Sequence, residues 1–177
     1  MAKKLPKIIT REEYEQLLQY LLKSKKKNSK VYALCVMLGF EAGLRISEIV
    51  GYSDRVPPLT ISQIDLQQNT IRINSGKGGK DRIVPVPKRV NRNAIALLPI
   101  KLKRRAIQKT ITTLGYRVLN KRITFHTLRH GFGSHLANSG RPTHEIQILM
   151  GHSNISTTGV YLHANPKKAI EGARDVF

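Results

Sequence analysis

Near the C-terminal end of the chain, His126-Thr127-Leu128-Arg129 is followed by Gly151-His152 and, nine residues past that histidine, by Tyr161. Two imidazoles, a guanidinium and a phenol therefore fall within about 36 residues, on segments that read as helices. Such groups can bind a phosphodiester, move its protons and attack its phosphorus. The diester carries one negative charge and gathers more on its equatorial oxygens as the nucleophile arrives. Guanidiniums offer bidentate donors to those oxygens, which lysines would do less well. A phenol is a poor nucleophile at its free pKa of about 10 and needs help losing its proton. The chemistry implied is strand cleavage by a tyrosine. It needs no metal, the sequence shows no obvious metal cluster, and no cofactor is expected.

Charge narrows the substrate. Lys and Arg number 31 against 11 acidic residues, a net charge of +20. A balance that basic is an electrostatic footprint for nucleic acid or another anionic surface. A merely solvated basic protein is the plain alternative, and 40% hydrophobic residues in strong periodic patterns weigh against it. At 177 residues the chain can bury one core, so a single domain spanning 1–177 is expected. No run of eighteen or more apolar residues marks a membrane span. The start, Met1-Ala2-Lys3-Lys4-Leu5-Pro6, lacks the apolar core of a secretory signal. Cys35, the only cysteine, sits in an apolar run and reads as a buried, unreactive thiol. A reducing, cytoplasmic setting fits.

The elements that must position the polar groups follow from periodicity. Residues 1–9 are a basic lead-in, and Thr10-Arg11-Glu12-Glu13 has capping-box form. Tyr14, Leu17, Leu18, Leu21 and Leu22 then predict an amphipathic helix. Val31 to Ala42 is apolar almost all round, as in a central buried helix, and Gly43 closes it. A short helix follows through Arg45 to Val50, and Tyr52 to Pro58 reads as a loop. Leu59–Ile64, Thr70–Ile73 and Arg82–Val86 read as short strands, the last two joined by the glycine-rich Ser75-Gly76-Lys77-Gly78-Gly79-Lys80. Residues 88–100 are ambiguous. A basic helix is expected over Leu102–Leu119 with a break near Gly115, and helices return after Thr124. Thr143 is placed as the cap of one ending near Met150, and a further helix holds Tyr161. Residues 165–177 form a last short helix.

Alone, H-x-x-R, G-H and a lone tyrosine are weak signals. Order and spacing strengthen them, together with Gly43-Leu44-Arg45-Ile46-Ser47-Glu48 and Gly76-Lys77-Gly78 followed by Lys80-Asp81-Arg82-Ile83-Val84-Pro85. With these, the chain resembles the catalytic domain of the tyrosine recombinases, the phage integrase and Xer-type family, from about Leu5 to Tyr161. The resemblance implies a mainly α fold with a small antiparallel β-sheet (α+β). It implies that Arg45 binds the scissile phosphate, that Glu48 supports the site and that Lys77 is the general acid. It places the H-x-x-R pair on His126 and Arg129, a phosphate-binding histidine on His152 and the nucleophile on Tyr161. Residue chemistry leaves His126 open as base or phosphate donor, and Lys80 as a rival acid on the same loop. His130 and His163 read as structural. Lys80, Arg82, Lys101, Lys103, Arg104 and Arg105 read as sequence-blind phosphate contacts.

The function so implied is site-specific DNA recombination or integration through a 3′-phosphotyrosyl intermediate, independent of metal and ATP. The partners expected are double-stranded DNA and further copies of the chain, as a tetramer on DNA, with the 165–177 tail helix as a docking element and no membrane. The alternatives are type IB topoisomerase-like relaxation without exchange, and a non-cleaving DNA-binding competitor of a full-length recombinase. Full-length members carry a separate helical DNA-binding domain ahead of the catalytic one, and the chain is expected to lack it. Tyr52–Pro58 also runs several residues longer than the direct helix-to-strand passage of the family.

Overall fold

Helix α1 (Arg11–Lys23) begins at the capping box in the sequence: the Thr10 hydroxyl accepts from the Glu13 N–H at 3.2 Å, and the Glu13 carboxylate accepts from the Thr10 N–H at 2.9 Å. In this computed structural model the protein is described over residues 8–53, 56–74, 81–151 and 166–177, without the side chains of 166–169. Tyr14, Leu17, Leu18 and Leu21 are the buried face of α1. That face packs on α2 (Ser29–Phe40), which is buried from Ala33 through Phe40 and includes Cys35. A helix apolar on every side must be covered all round, and α6 (Phe125–Asn138) also packs against α2.

Helix α3 (Ile46–Val50) leads from α2 toward a three-stranded antiparallel sheet of order β3-β4-β5. Here β3 is Ile64–Asp65, β4 is Thr70–Ile73 and β5 is Arg82–Pro85. Ile71 pairs with Val84, both fully buried, whereas the pair Arg72 and Ile83 faces outward. Helices α4 (Arg92–Ile95), α5 (Arg104–Leu119), α6, α7 (Thr143–Met150) and α8 (Pro166–Val176) follow among the described residues; the helix expected around Tyr161 lies outside them. The result is the mainly helical fold with a small antiparallel sheet that the sequence predicts. No helix among the described residues is long and apolar enough to cross a membrane.

Several local readings are corrected. The expected loop at Tyr52–Pro58 is a hairpin, β1 (Gly51–Ser53) with β2 (Val56–Pro58), registered by Ser53 opposite Val56. Prolines are tolerated there because an edge strand has ladder positions that need no donor. Leu59–Ile64 is not one strand: Ile61–Gln63 is a 3-10 turn, held by the Gln63 side chain accepting from the Thr60 N–H at 3.0 Å. Side-chain bonds of this kind compete with a sheet ladder. Gly115 is no break, since α5 runs through it. A Cβ at that position would lie 2.7 Å from the Lys121 carbonyl, so glycine permits close packing there. Pro142, not Thr143, is the N-cap of α7.

Helix α8 lies on its own chain. Ile170 and Ala173 are buried with Phe132, Leu136, Leu149 and Met150. Phe177 meets the rings of Phe40 and Phe132 at 5.7 and 5.8 Å. Arg11 fastens the end, donating to the Val176 and Phe177 carbonyls at 2.8 Å each.

Candidate active site

The C-terminal end of α7 gathers three arginines from three separate parts of the sequence. The last carbonyls of a helix have no partner within it. In α7 they are taken in succession: Leu149 accepts from Arg82 Nε at 2.9 Å, Met150 from Arg129 Nη2, and Gly151 from Arg45 Nη2 at 3.2 Å. Cations also suit the negative end of the helix dipole. Gly151 ends α7 at φ 57°, and a Cβ there would lie 2.9 Å from Arg82 Cδ, so the turn that leads to His152 is built around the arginine.

Glu48 ties the cluster together. Its two oxygens accept from Arg82 Nη1 and Nη2 at 2.8 Å each, while Arg45 donates through Nη1 at 2.9 Å and its backbone N–H at 2.8 Å. Arg45 stands at the N-cap of α3 and Glu48 three residues on, so α3 itself sets their spacing. Burial is the largest single influence on the Glu48 carboxyl and opposes its ionisation. The bonds and charge of Arg82, with those of Arg45, outweigh it and hold the pKa at about 2. Arg129 is buried and also donates through Nη1 to the Gly43 carbonyl. Burial first, then the charges of Arg45 and Arg82, push its pKa down to about 9, which leaves it protonated at neutral pH.

This hydrogen-bonded cluster holds three guanidiniums against one carboxylate. The Arg45 side chain keeps 26% of its surface exposed, whereas those of Glu48 and Arg82 keep 2% and 5%. An oxyanion arriving on the Arg45 side would meet a positive field and N–H donors fixed in advance.

His126 lies in the first turn of α6, capped by Thr124, and is exposed. Its Nε2 is 2.8 Å from Nε2 of His130, with ring centroids 4.3 Å apart and nearly perpendicular. One ring must donate and the other accept, so at least one of the two is neutral. Burial, then the proximity of His126 and of Arg129, holds the His130 pKa below its ordinary value.

Among the residues singled out in the sequence, the fold brings together Arg45, Glu48 and Arg129, and it carries His126 on the same helix as Arg129. Lys77, Lys80, His152, Tyr161 and His163 lie outside the described residues. Lys101, Lys103 and Arg105 are exposed at the start of α5, and the guanidinium of Arg104 sits over the Tyr52 ring. Arg82 is corrected: with 7% exposure and its nitrogens spent on Glu48 and Leu149, it is an internal strut and not a phosphate contact. Strand alternation carried a signal for this, because Arg82 shares a face with buried Val84. The His126–His130 pair was likewise signalled by its i, i+4 spacing.

The sequence model of the Phage integrase family matches residues 7–168. Tyrosine recombinase XerA of Thermococcus kodakarensis is 34% identical over 178 residues, covering 91% of this chain and 59% of the relative. The chain spans about three-fifths of the length of the curated relatives it matches. The integrase from mycobacterium phage Brujita shares the fold at a TM-score of 0.71 and 21% identity, covering 100% of this chain and 60% of that one. XerH site-specific recombinase bound to difH substrate, in a pre-cleavage complex, aligns at 0.63 and 24%, covering 98% and 55%. With a matched region that contains both the arginine cluster and the segment leading to Tyr161, the chain belongs to the phage integrase family of tyrosine recombinases.

Proposed function

We propose that the chain performs site-specific cleavage and rejoining of DNA strands, as the catalytic part of a recombinase or integrase. The observation that carries this reading is the meeting of Arg45, Glu48 and Arg129 at the end of α7, where the chain continues into His152. Arg45 and Arg129 bind the non-bridging oxygens of the scissile phosphate, and Glu48 with Arg82 keeps Arg45 in place. His152 adds a hydrogen bond to a non-bridging oxygen. His126 either takes the Tyr161 proton or donates to the phosphate.

In the step itself, the Tyr161 oxygen bonds to phosphorus while the bond to the 5′ oxygen breaks. Lys77 protonates that oxygen as it leaves, giving a 3′-phosphotyrosyl bond and a free 5′-hydroxyl. A 5′-hydroxyl from a second strand reverses the step. One ester replaces another, so the balance needs neither ATP nor a metal. Exchange between two duplexes needs paired cuts, which implies four copies on DNA, and we assign contacts between copies to the exposed face of α8, whose apolar face packs on its own chain. XerH, whose structure holds its difH substrate, supports DNA as the partner.

A supercoiled plasmid carrying two copies of a candidate site tests this reading. Exchange products that disappear in Tyr161→Phe are expected. Relaxed circles without exchange would favour a topoisomerase-like role, and binding without any strand breakage would favour a competitor.

A further inference from the structure

We propose that hairpin β1–β2 is an additional contact to the DNA backbone, in which Tyr52 holds the Arg104 guanidinium ready for a phosphate near the cleavage site. This rests on the recombinase reading and adds to it an element outside the residues that reading assigns to catalysis.

The paired strands of the hairpin are anchored on α3. Gly51 takes φ 76°, where an added Cβ would lie 3.0 Å from Pro58, and Leu59 N–H donates to the Ile49 carbonyl at 3.2 Å. Its mount is α3, a five-residue helix that rises about 7.5 Å from Arg45. Tyr52 follows two residues past the end of α3, so one short element links it to the arginine that would hold the phosphate.

Tyr52 is 68% exposed, and the Arg104 guanidinium lies 4.6 Å from its ring centroid. A ring face orients a guanidinium without neutralising it, which a carboxylate would do. Among the described residues Arg104 makes no ion pair, and Lys101, Lys103 and Arg105 beside it are exposed. None of these four cations forms an ion pair among the described residues, which leaves their charge to an anion such as a phosphate. The in-plane N–H groups of Arg104 remain available for a phosphate.

The test is the affinity of the whole chain for a duplex carrying a candidate site, measured by fluorescence anisotropy between about 50 and 200 mM salt. Tyr52→Ala is expected to weaken binding about three- to tenfold, and Tyr52→Phe to bind like wild type. Arg104→Ala should lower the salt slope by about one. The double variant should bind like Arg104→Ala alone, because the ring acts only through the guanidinium. If Tyr52→Ala melts early, Tyr52→Leu, which lacks a π face, replaces it. Unchanged binding by the ring-deleted variant, or losses that add in full, overturns the proposal. A wild type with no affinity for any duplex overturns the recombinase reading as well.

Discussion

Arg82 and Glu48 meet two nitrogens to two oxygens, at 2.8 Å each, with both side chains buried. The pair joins the foot of β5 to α3, and the Arg82 bond to Leu149 extends the join to the end of α7. One residue thus links the three segments that meet at the arginine cluster.

Arg82→Ala should destabilise the fold by about 3–5 kcal/mol, because it takes two charged donors from a buried carboxylate and leaves it to Arg45 alone. Arg82→Lys keeps the charge but not the two-pronged geometry, so an intermediate loss is expected. Urea denaturation of both variants checks the order. Equal stability of wild type and Arg82→Ala would mean that the pair does not hold the segments together.

Acid stability should depend on Glu48. Its carboxyl falls from an ordinary 4.5 to about 2 in the fold. The stability it contributes is present above about 4.5 and is lost as pH falls toward 2, on the order of 3 kcal/mol in all. Urea midpoints of wild type should therefore drop more steeply across that window than those of Glu48→Gln. Parallel curves would contradict the assignment.

Much of the framework was legible because short-range rules decide it. The Thr10–Glu13 capping box, the Tyr14–Leu21 stripe and the apolar α2 each specify their element locally. The Arg45–Glu48 link was legible for the same reason, as an i, i+3 pair. Arg82 was misread because its partners are remote: Glu48 is 34 residues away and Leu149 is 67. Strand phase alone could have hinted that its charge points inward. The β1–β2 hairpin was missed because its prolines imitate a loop, and the Tyr52–Arg104 contact is set by tertiary packing alone.

The histidine pair gives a titration signature. His130 should titrate below its ordinary value in wild type, held there by burial, His126 and Arg129. In His126→Asn its midpoint should rise part of the way back, since burial and Arg129 remain. NMR titration of the ring protons reads this directly, and an unmoved midpoint would show that the rings do not sense each other.

Docking of α8 should depend on Arg11. Removing its bonds to the Val176 and Phe177 carbonyls in Arg11→Ala is expected to weaken the tail by about 1–3 kcal/mol. Amide exchange over 170–176 should quicken while exchange in α2 stays slow. Unchanged protection of α8 would place its stability wholly in the apolar contacts of Ile170, Ala173 and Phe177.

Covalent trapping tests the cleavage chemistry most directly. Wild type and Tyr161→Phe are incubated with nicked suicide duplexes covering a candidate site, without added metal, and the products are resolved under denaturing conditions. A protein–DNA adduct formed by wild type and absent from Tyr161→Phe is predicted. An adduct that persists without the tyrosine hydroxyl, or none from a wild type that binds the duplex, would contradict the assignment of Tyr161 as nucleophile in this chain.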